Sequence, residues 1–150
     1  MAVEHTNCTI CGITKVNAEF EGRKRQCKEC RTKARFERAN SSVQGFLQIR
    51  LTALKQRHKS KKFEGEIVSL DYLVSLYEQQ RGICALSGIP MHVTLHHTDL
   101  TVSPDRIDTN KGYIEGNVRL VCARANMMRS TLDDHDFVWW CRAVVNNGGN

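Results

Sequence analysis

The 150-residue sequence contains no run of 18 apolar residues, and its first residues lack the apolar core of a secretory signal peptide. A membrane span needs roughly 18 or more consecutive apolar residues, so the sequence predicts neither a spanning helix nor export. We therefore expect a cytoplasmic protein with no membrane partner. The sequence also lacks an internal repeat and a low-complexity linker, which favours one compact domain with a small satellite.

Acidic residues are scarce in one long stretch of the chain. Residues 21–62 hold fourteen of the twenty-two Lys and Arg residues but only three acidic residues, Glu21, Glu29 and Glu37. The whole chain carries a formal charge of +6. A charge run is usually a solvated face when its signs are mixed, but a run of one sign favours a polyanion, because Lys and Arg displace counterions from phosphates. We interpret this stretch as a DNA-contacting surface.

Four of the seven cysteines form two C-x2-C pairs, Cys8 with Cys11 and Cys27 with Cys30. Two such pairs supply the four thiolates of a structural zinc site, which leaves no open position for chemistry. Without an export signal, paired thiols favour metal ligation over disulfides. The spacing therefore predicts a zinc ribbon that binds one structural Zn²⁺ ion per chain.

The basic stretch is predicted to form two helices. Residues 31–39 place three arginines along one side at i, i+4 and i+7 spacing. A second helix begins near residues 41–42, either of which can cap it, and ends at about residue 58. Its apolar stripe faces the core, and its basic residues face solvent or phosphate. The candidate DNA contacts on the two helices are Arg31, Arg35, Arg38, Arg57 and Lys59.

The sequence also predicts structure in three later segments. Ser69 predicts the start of a helix over residues 70–80. Residues 91–103 alternate loosely between apolar and polar types, which predicts a hairpin of strands. In the last helix we expect the adjacent Trp139 and Trp140 to pack into the core rather than form a subunit contact.

Two further cysteines, Cys84 and Cys122, stand where a second zinc site would need four ligands. The positions that would complete each C-x2-C pair hold Ser87 and Ala125 instead. Two sulfurs alone do not make a structural zinc site, so we expect two small buried residues. A site restored by a histidine is an alternative, and the candidate histidines are His92, His96 and His97.

The stretch SPDRIDTNKGYIEGNVRLVCARANMMR, residues 103–129, carries the candidate chemistry. It predicts a strand ending in Asp105-Arg106, a loop, a strand over Val118–Cys122 and a helix that carries Asn126. A carboxylate at a strand end and an amide on the following helix can converge on one hard cation such as Mg²⁺ or Mn²⁺. A guanidinium can clamp a phosphate but cannot be a general base, because it stays protonated.

This pattern resembles the HNH (ββα-metal, His-Me finger) endonucleases, whose motif reads roughly D-H-I, then N-L-x-x-L-C-x-x-C-H-x-x-K. Arg106 stands where the family has its general-base histidine, as it does in a set of small phage-type members. With the four-cysteine ribbon, the chain is also similar to a restriction-enzyme type of this family that is a homodimer with two zinc sites per subunit. The matching residues are Asp105-Arg106-Ile107, Asn117, Val121-Cys122, Asn126 and Arg129.

The resemblance implies an α+β fold and metal-dependent hydrolysis of phosphodiester bonds in double-stranded DNA. It implies Mg²⁺ or Mn²⁺ ligation by Asp105 and Asn126, an orienting role for Asn117 in the loop, and a phosphate contact for Arg129. Arg106 would clamp a phosphate and offset transition-state charge. A homodimer is one expectation for the assembly. The general base is open among His58, His96, His97 and Tyr77.

We predict three segments along the chain. Residues 1–40 form the zinc ribbon and a basic helix, residues 41–83 a helical DNA-contacting connector, and residues 84–150 the HNH core with a C-terminal helix. The predicted function is a site-specific endonuclease of homing, restriction or phage DNA processing. The alternative is a zinc-ribbon DNA-binding protein without catalysis, which the substitution at Arg106 keeps open.

Overall fold

The computed structural model describes residues 4–21, 25–96 and 98–148, and it combines helices with two small antiparallel sheets. The predicted α+β class is confirmed. None of the helices in these described ranges is long and apolar enough to cross a membrane. In chain order the elements are β1 (His5–Asn7), β2 (Thr14–Val16), α1 (Lys28–Ser41), α2 (Val43–Ser60), α3 (Leu70–Gln79), β3 (Val102–Arg106), β4 (Val118–Cys122), α4 (Ala123–Arg129) and α5 (Asp134–Asn147).

The N-terminal unit is a short hairpin followed by a helix. β1 and β2 pair antiparallel, and the turn between them contains Gly12 at φ +70°, a conformation that glycine adopts without a steric penalty. The Gly12 backbone N–H donates to the Cys8 carbonyl, and the Cys8 N–H donates to the Ile13 carbonyl. These bonds fold the chain around Cys8, which is buried with Phe20 in a small cluster separate from the main core.

Helix α2 begins and buries its apolar stripe as the sequence predicts. The Ser42 hydroxyl caps it by accepting a hydrogen bond from the Gly45 N–H at 3.0 Å. Leu47, Leu51 and Leu54 are all buried. Helix α1 is longer than predicted at both ends, and it begins within the second cysteine pair, with Cys27 as its N-cap and Cys30 in its first turn. Ser69 caps α3 in the same way, by accepting from the Tyr72 N–H at 3.0 Å.

The β3–β4 hairpin is the centre of the main core. In its register Asp105 lies opposite Arg119, and Arg106 lies opposite Val118. Side chains alternate between the two faces of a strand, so neighbours in the chain point to opposite sides of the hairpin. Leu120 is fully buried on the side of the hairpin that α2 and α3 cover, together with Leu73 of α3. Helix α4 follows β4 directly and returns along the hairpin.

The predicted hairpin over residues 91–103 is wrong. Among the described residues of this stretch, the only pairing before β3 is one parallel bridge between His92 and Thr101. The Thr101 hydroxyl accepts from the Thr98 N–H at 3.0 Å, and the Thr101 N–H donates to the Thr98 carbonyl at 3.0 Å. Such local side-chain bonds offer the backbone an alternative to a strand ladder.

The predicted core packing of the two tryptophans is also wrong. Trp139 and Trp140 are 54 % and 55 % exposed, and their rings meet edge to face at 4.8 Å. Helix α5, all of which lies in the described part of the chain, contains no buried residue. The hairpin is already covered by α2 and α3 in the main core, and α5 lies outside that core. Cys141 of the same helix is half-buried.

Candidate active site and metal centres

The four N-terminal thiols form a cluster that fits zinc. The sulfurs of Cys8, Cys11, Cys27 and Cys30 all lie within 4.8 Å of one another. Hydrogen bonds from the backbone of Cys11 and Cys27 lower the pKa of Cys8 to about 6. The hydrogen bond with Cys27, and then burial, raise the pKa of Cys30 to about 12. One thiolate therefore makes the next harder to ionise, and a divalent cation in the cluster supplies the charge that four thiolates need.

Cys84 and Cys122 are buried, as the sequence predicts. The Cys122 N–H donates to the Cys84 sulfur at 3.2 Å, and the Ser87 hydroxyl lies 3.7 Å from the Cys122 sulfur. Within the described part of the chain, no further His, Cys, Asp or Glu completes a ligand group around this pair. His97, one of the three candidate histidines, lies outside the described residues.

Asp105 lies at the strand end, where its carboxylate is held by two arginines. Arg129 Nη1 donates to Asp105 Oδ1 at 3.0 Å, and Arg119 Nε donates to Oδ2 at 3.0 Å. Asp134 bridges the same arginines: it accepts from Arg119 Nη1 and Nη2 at 2.5 and 2.6 Å and from Arg129 Nε at 3.0 Å. We call these four residues the Asp105 network. It joins β3, β4, α4 and the first turn of α5.

Burial within the Asp105 network is uneven. The side chain of Arg129 is 1 % exposed, that of Asp105 6 %, that of Arg119 12 % and that of Asp134 45 %. Arg129 Nη2 also donates to the Ile107 carbonyl at 2.8 Å. Charges this deep are tolerated only when they are paired and hydrogen-bonded. Arg129 is therefore almost fully enclosed, and its predicted phosphate contact stays a prediction.

Asn126 lies on the same side of the hairpin as Asp105. Its amide nitrogen donates to the Ser103 hydroxyl at 2.8 Å, and Ser103 and Asp105 are two residues apart on β3. This bond leaves the Asn126 carbonyl oxygen as the atom that can bind a cation. The two predicted ligands, Asp105 and Asn126, thus lie on the same side of the hairpin, one on β3 and the other on α4.

A Mg²⁺ or Mn²⁺ ion does not fit Asp105 and Asn126 in this arrangement. Both oxygens of Asp105 accept arginine hydrogen bonds, and the Asp105 network contains two carboxylates and two guanidiniums. Hard cations need anionic oxygen ligands, and two guanidiniums beside Asp105 repel a further cation. Asp105 is instead the counter-ion of Arg119 and Arg129.

Arg106 points to the opposite face and organises the hairpin loop. Its Nη1 donates to the carbonyls of Thr109 at 2.6 Å and Lys111 at 3.1 Å. Its guanidinium carbon lies 4.7 Å from the ring centre of Phe63 and 5.3 Å from that of Tyr113. The side chain is thus fixed by two carbonyls and two aromatic rings, an arrangement that suits a planar cation.

Asn117 ties the two ends of the same loop together. Its amide nitrogen donates to the carbonyls of Asp108 at 3.1 Å and Gly112 at 2.9 Å. Its amide oxygen accepts from the Asp108 N–H at 2.9 Å. Because three backbone groups of the loop bind one buried side chain, the loop has little freedom to move at this point.

The candidate bases lie in different places. His58 packs edge to face on Phe63, with ring centres 5.8 Å apart, and its buried Nδ1 has no hydrogen-bond partner among the described residues. A Cβ on Gly112 would lie 2.6 Å from its Cε1, so His58 closely approaches the loop that Arg106 holds. The Tyr77 hydroxyl lies against Gly82 at the end of α3. His96 packs edge to face on Phe36 of α1, with ring centres 5.7 Å apart.

The predicted DNA contacts fall into two groups. Arg31, Arg35 and Arg38 line one open groove of about 520 Å³ beside α1, and Ile49 of α2 contributes to its wall. Arg31 also forms an ion pair with Glu21. Arg57 and Lys59 are exposed near the end of α2, where Arg57 Nη1 donates to the Tyr113 hydroxyl at 3.2 Å.

Sequence reasoning missed Arg119, Asp134 and Phe63. Arg119 carries a signal that could have been used. Once the strand register is known, residues opposite each other in a hairpin have side chains on the same face, which places Arg119 beside Asp105. The pKa of Asp134 lies below its ordinary value, chiefly because Arg119 donates to its carboxylate. Phe63 follows α2 in a stretch without periodicity, which gave no reason to single it out.

We predict about one tightly bound zinc ion per chain, since one complete set of four thiols is present. Cys8→Ser should lose this zinc and lower the thermal stability of the N-terminal unit, because metal binding at such sites stabilises the fold directly. Cys84→Ser is the matched control, since it removes a buried thiol from the other pair and should keep the zinc. Metal analysis by mass spectrometry measures both, and two zinc ions per parent chain would contradict the assignment.

We predict that Asp105→Asn lowers the free energy of unfolding by about 3–5 kcal/mol, because it leaves two buried arginines without their counter-ion. Asp99→Asn is the control: it breaks an exposed ion pair with Arg124 and should cost less than about 1 kcal/mol. Urea unfolding of both variants gives the two values. Equal losses of unfolding free energy in the two variants would show that the burial of the Asp105 network does not add to stability.

The sequence matches no family model, and no curated protein matches it. Among solved structures, the chain is similar to the rare-cutting HNH restriction endonuclease PacI, a protein described as perturbing DNA. The two chains are 18 % identical, the alignment covers 93 % of this chain and 92 % of that chain, and the TM-score is 0.49. A likeness at this level assigns no activity and no residue role to the present chain.

Proposed function

We propose that this chain binds double-stranded DNA and hydrolyses its phosphodiester bonds with an HNH-type core. The observation that carries the proposal is the order Asp105-Arg106, Asn117 and Asn126 on a strand, loop, strand and helix. In this arrangement Asn117 binds the loop, and Asn126 lies on the same side as Asp105. The motif and the local structure are thus consistent with each other.

The basic groove supports the DNA-binding part of the proposal. Three arginines of α1 line it, and they belong to the stretch with fourteen basic and three acidic residues. A row of guanidiniums gains affinity from phosphates by releasing counterions, and this gain does not depend on base sequence. We therefore propose that a DNA backbone lies along the groove beside α1 and that Arg57 and Lys59 make additional contacts.

His58 is the base that we propose for the hydrolytic step. Hydrolysis needs an acceptor for the proton of the attacking water and positive charge near the developing anion. His58 approaches the loop that is held by Arg106, and the residue is half-buried beside that loop. Arg106 supplies the adjacent positive charge.

One observation favours a second candidate, a DNA-binding zinc protein without catalysis. The Mg²⁺ or Mn²⁺ site inferred from the sequence is not formed in this arrangement, because Asp105 is the counter-ion of two arginines. Catalysis through Asp105 would require that carboxylate to leave at least one of them. The DNA-binding part of the proposal does not depend on this rearrangement.

We predict that the purified protein nicks or linearises supercoiled plasmid in a buffer that contains Mg²⁺ or Mn²⁺. His58→Ala should reduce the rate by about 10²–10⁴, the usual contribution of general base catalysis, while zinc content and DNA affinity stay unchanged. His5→Ala, an exposed histidine on β1, is the control and should cut like the parent. DNA binding without cutting by the parent would establish the second candidate instead.

We predict that Arg35→Gln and Arg38→Gln each flatten the slope of log affinity against log salt by about one, because each removes one phosphate contact. Arg124→Gln is the matched control, since this exposed arginine pairs with Asp99 away from the groove. Fluorescence anisotropy of a labelled duplex over a range of salt concentrations gives the slopes. Equal slopes for parent and groove variants would place the DNA on another surface.

A further inference from the structure

The guanidinium of Arg119 is bound in a manner that suits a phosphate. Its two terminal nitrogens meet the two oxygens of Asp134 at 2.5 and 2.6 Å, a parallel two-bond pair. Arginine uses the same planar fork for carboxylates and for phosphates. Its Nε donates to Asp105 at 3.0 Å, and this third hydrogen bond fixes the direction in which the two terminal nitrogens point.

Asp134 is the member of the Asp105 network that can leave. Its side chain is 45 % exposed, whereas those of the other three members are between 1 % and 12 % exposed. It belongs to α5, a helix with no buried residue among its described positions. The helix would keep its start without the bonds of Asp134 to Arg119 and Arg129, because Asp133 caps it by accepting from the Asp136 N–H at 2.8 Å.

Departure of Asp134 changes the charge of the remaining network. With it, two carboxylates face two guanidiniums; without it, one carboxylate faces two guanidiniums and the pocket is cationic. A cationic pocket with a fixed two-nitrogen fork attracts an oxyanion with two free oxygens. A DNA phosphodiester has that chemistry.

We propose that Arg119 is a phosphate-binding residue, and that Asp134 occupies its fork until a DNA phosphate displaces it. The inference rests on the proposed DNA binding and adds a site apart from the groove of α1. Asp134 competes from within the chain, so the apparent affinity for DNA is reduced by the fraction of molecules whose fork is free. Removing the competing carboxylate should therefore tighten DNA binding.

The test compares DNA affinity at one salt concentration by anisotropy of a labelled duplex of mixed sequence. Asp134→Asn should bind about tenfold more tightly than the parent. Asp136→Asn makes the same charge change in the same helical turn, where the carboxylate meets His135 and no described arginine, and should change affinity less than about twofold. The double variant Asp134→Asn with Arg119→Lys should lose the gain, because lysine has no fork.

Hydrogen exchange of the parent provides a second measurement that needs no substitution. Saturating duplex DNA should speed exchange in the first turn of α5, because Asp134 is released, even if Asp134→Asn folds poorly. Unchanged or weaker binding by folded Asp134→Asn, or unchanged or slower exchange in that turn, would overturn the inference while DNA binding by the parent stood. Failure of every protein to bind DNA would overturn the proposed function, and this inference with it.

Discussion

The carboxylate of Asp105 is the group on which the site depends. Two arginines from different elements donate to it, and one of them is almost fully buried. A buried guanidinium without a partner would be strongly destabilising. Arg119 of β4 and Arg129 of α4 therefore both have to lie against the end of β3. Asp134 then ties the first turn of α5 to the same pair of arginines. One carboxylate therefore fixes how the hairpin and two helices meet.

Adjacent positions on β3 serve opposite faces of the hairpin. Asp105 faces α4, while Arg106 faces the loop and the aromatic rings of Phe63 and Tyr113. Because strand side chains alternate, the charge of Arg106 does not enter the Asp105 network. Arg106 binds loop carbonyls instead, and Asn117 adds three further hydrogen bonds to the same loop. The loop beside His58 is thus held by hydrogen bonds from two side chains.

Features set by local chemistry were predictable from sequence, and features set by register were not. Ser42 and Ser69 cap helices because a hydroxyl needs only the next turn of backbone. Ser69 caps as predicted, and Ser42 is the cap of the two serines that the sequence left open. The bounds of β4, Val118–Cys122, also agree with the sequence prediction. The bridge from Arg119 to Asp134 joins residues fifteen apart through a hairpin and a helix, so no spacing rule reports it. The tryptophans were misassigned because apolar character alone does not say whether a helix reaches the core.

The same network accounts for why the inferred cation site is not formed and what would change it. Asp105 cannot serve a divalent cation while Arg119 and Arg129 both donate to it, since the surroundings then carry two positive charges close by. Arg119 holds Asp105 and Asp134 with different nitrogens of one rigid group. A phosphate that displaced Asp134 from Arg119 would replace one negative charge with another, so the repulsion of a cation at Asp105 would remain. A cation at Asp105 therefore requires Arg119 or Arg129 to leave that carboxylate.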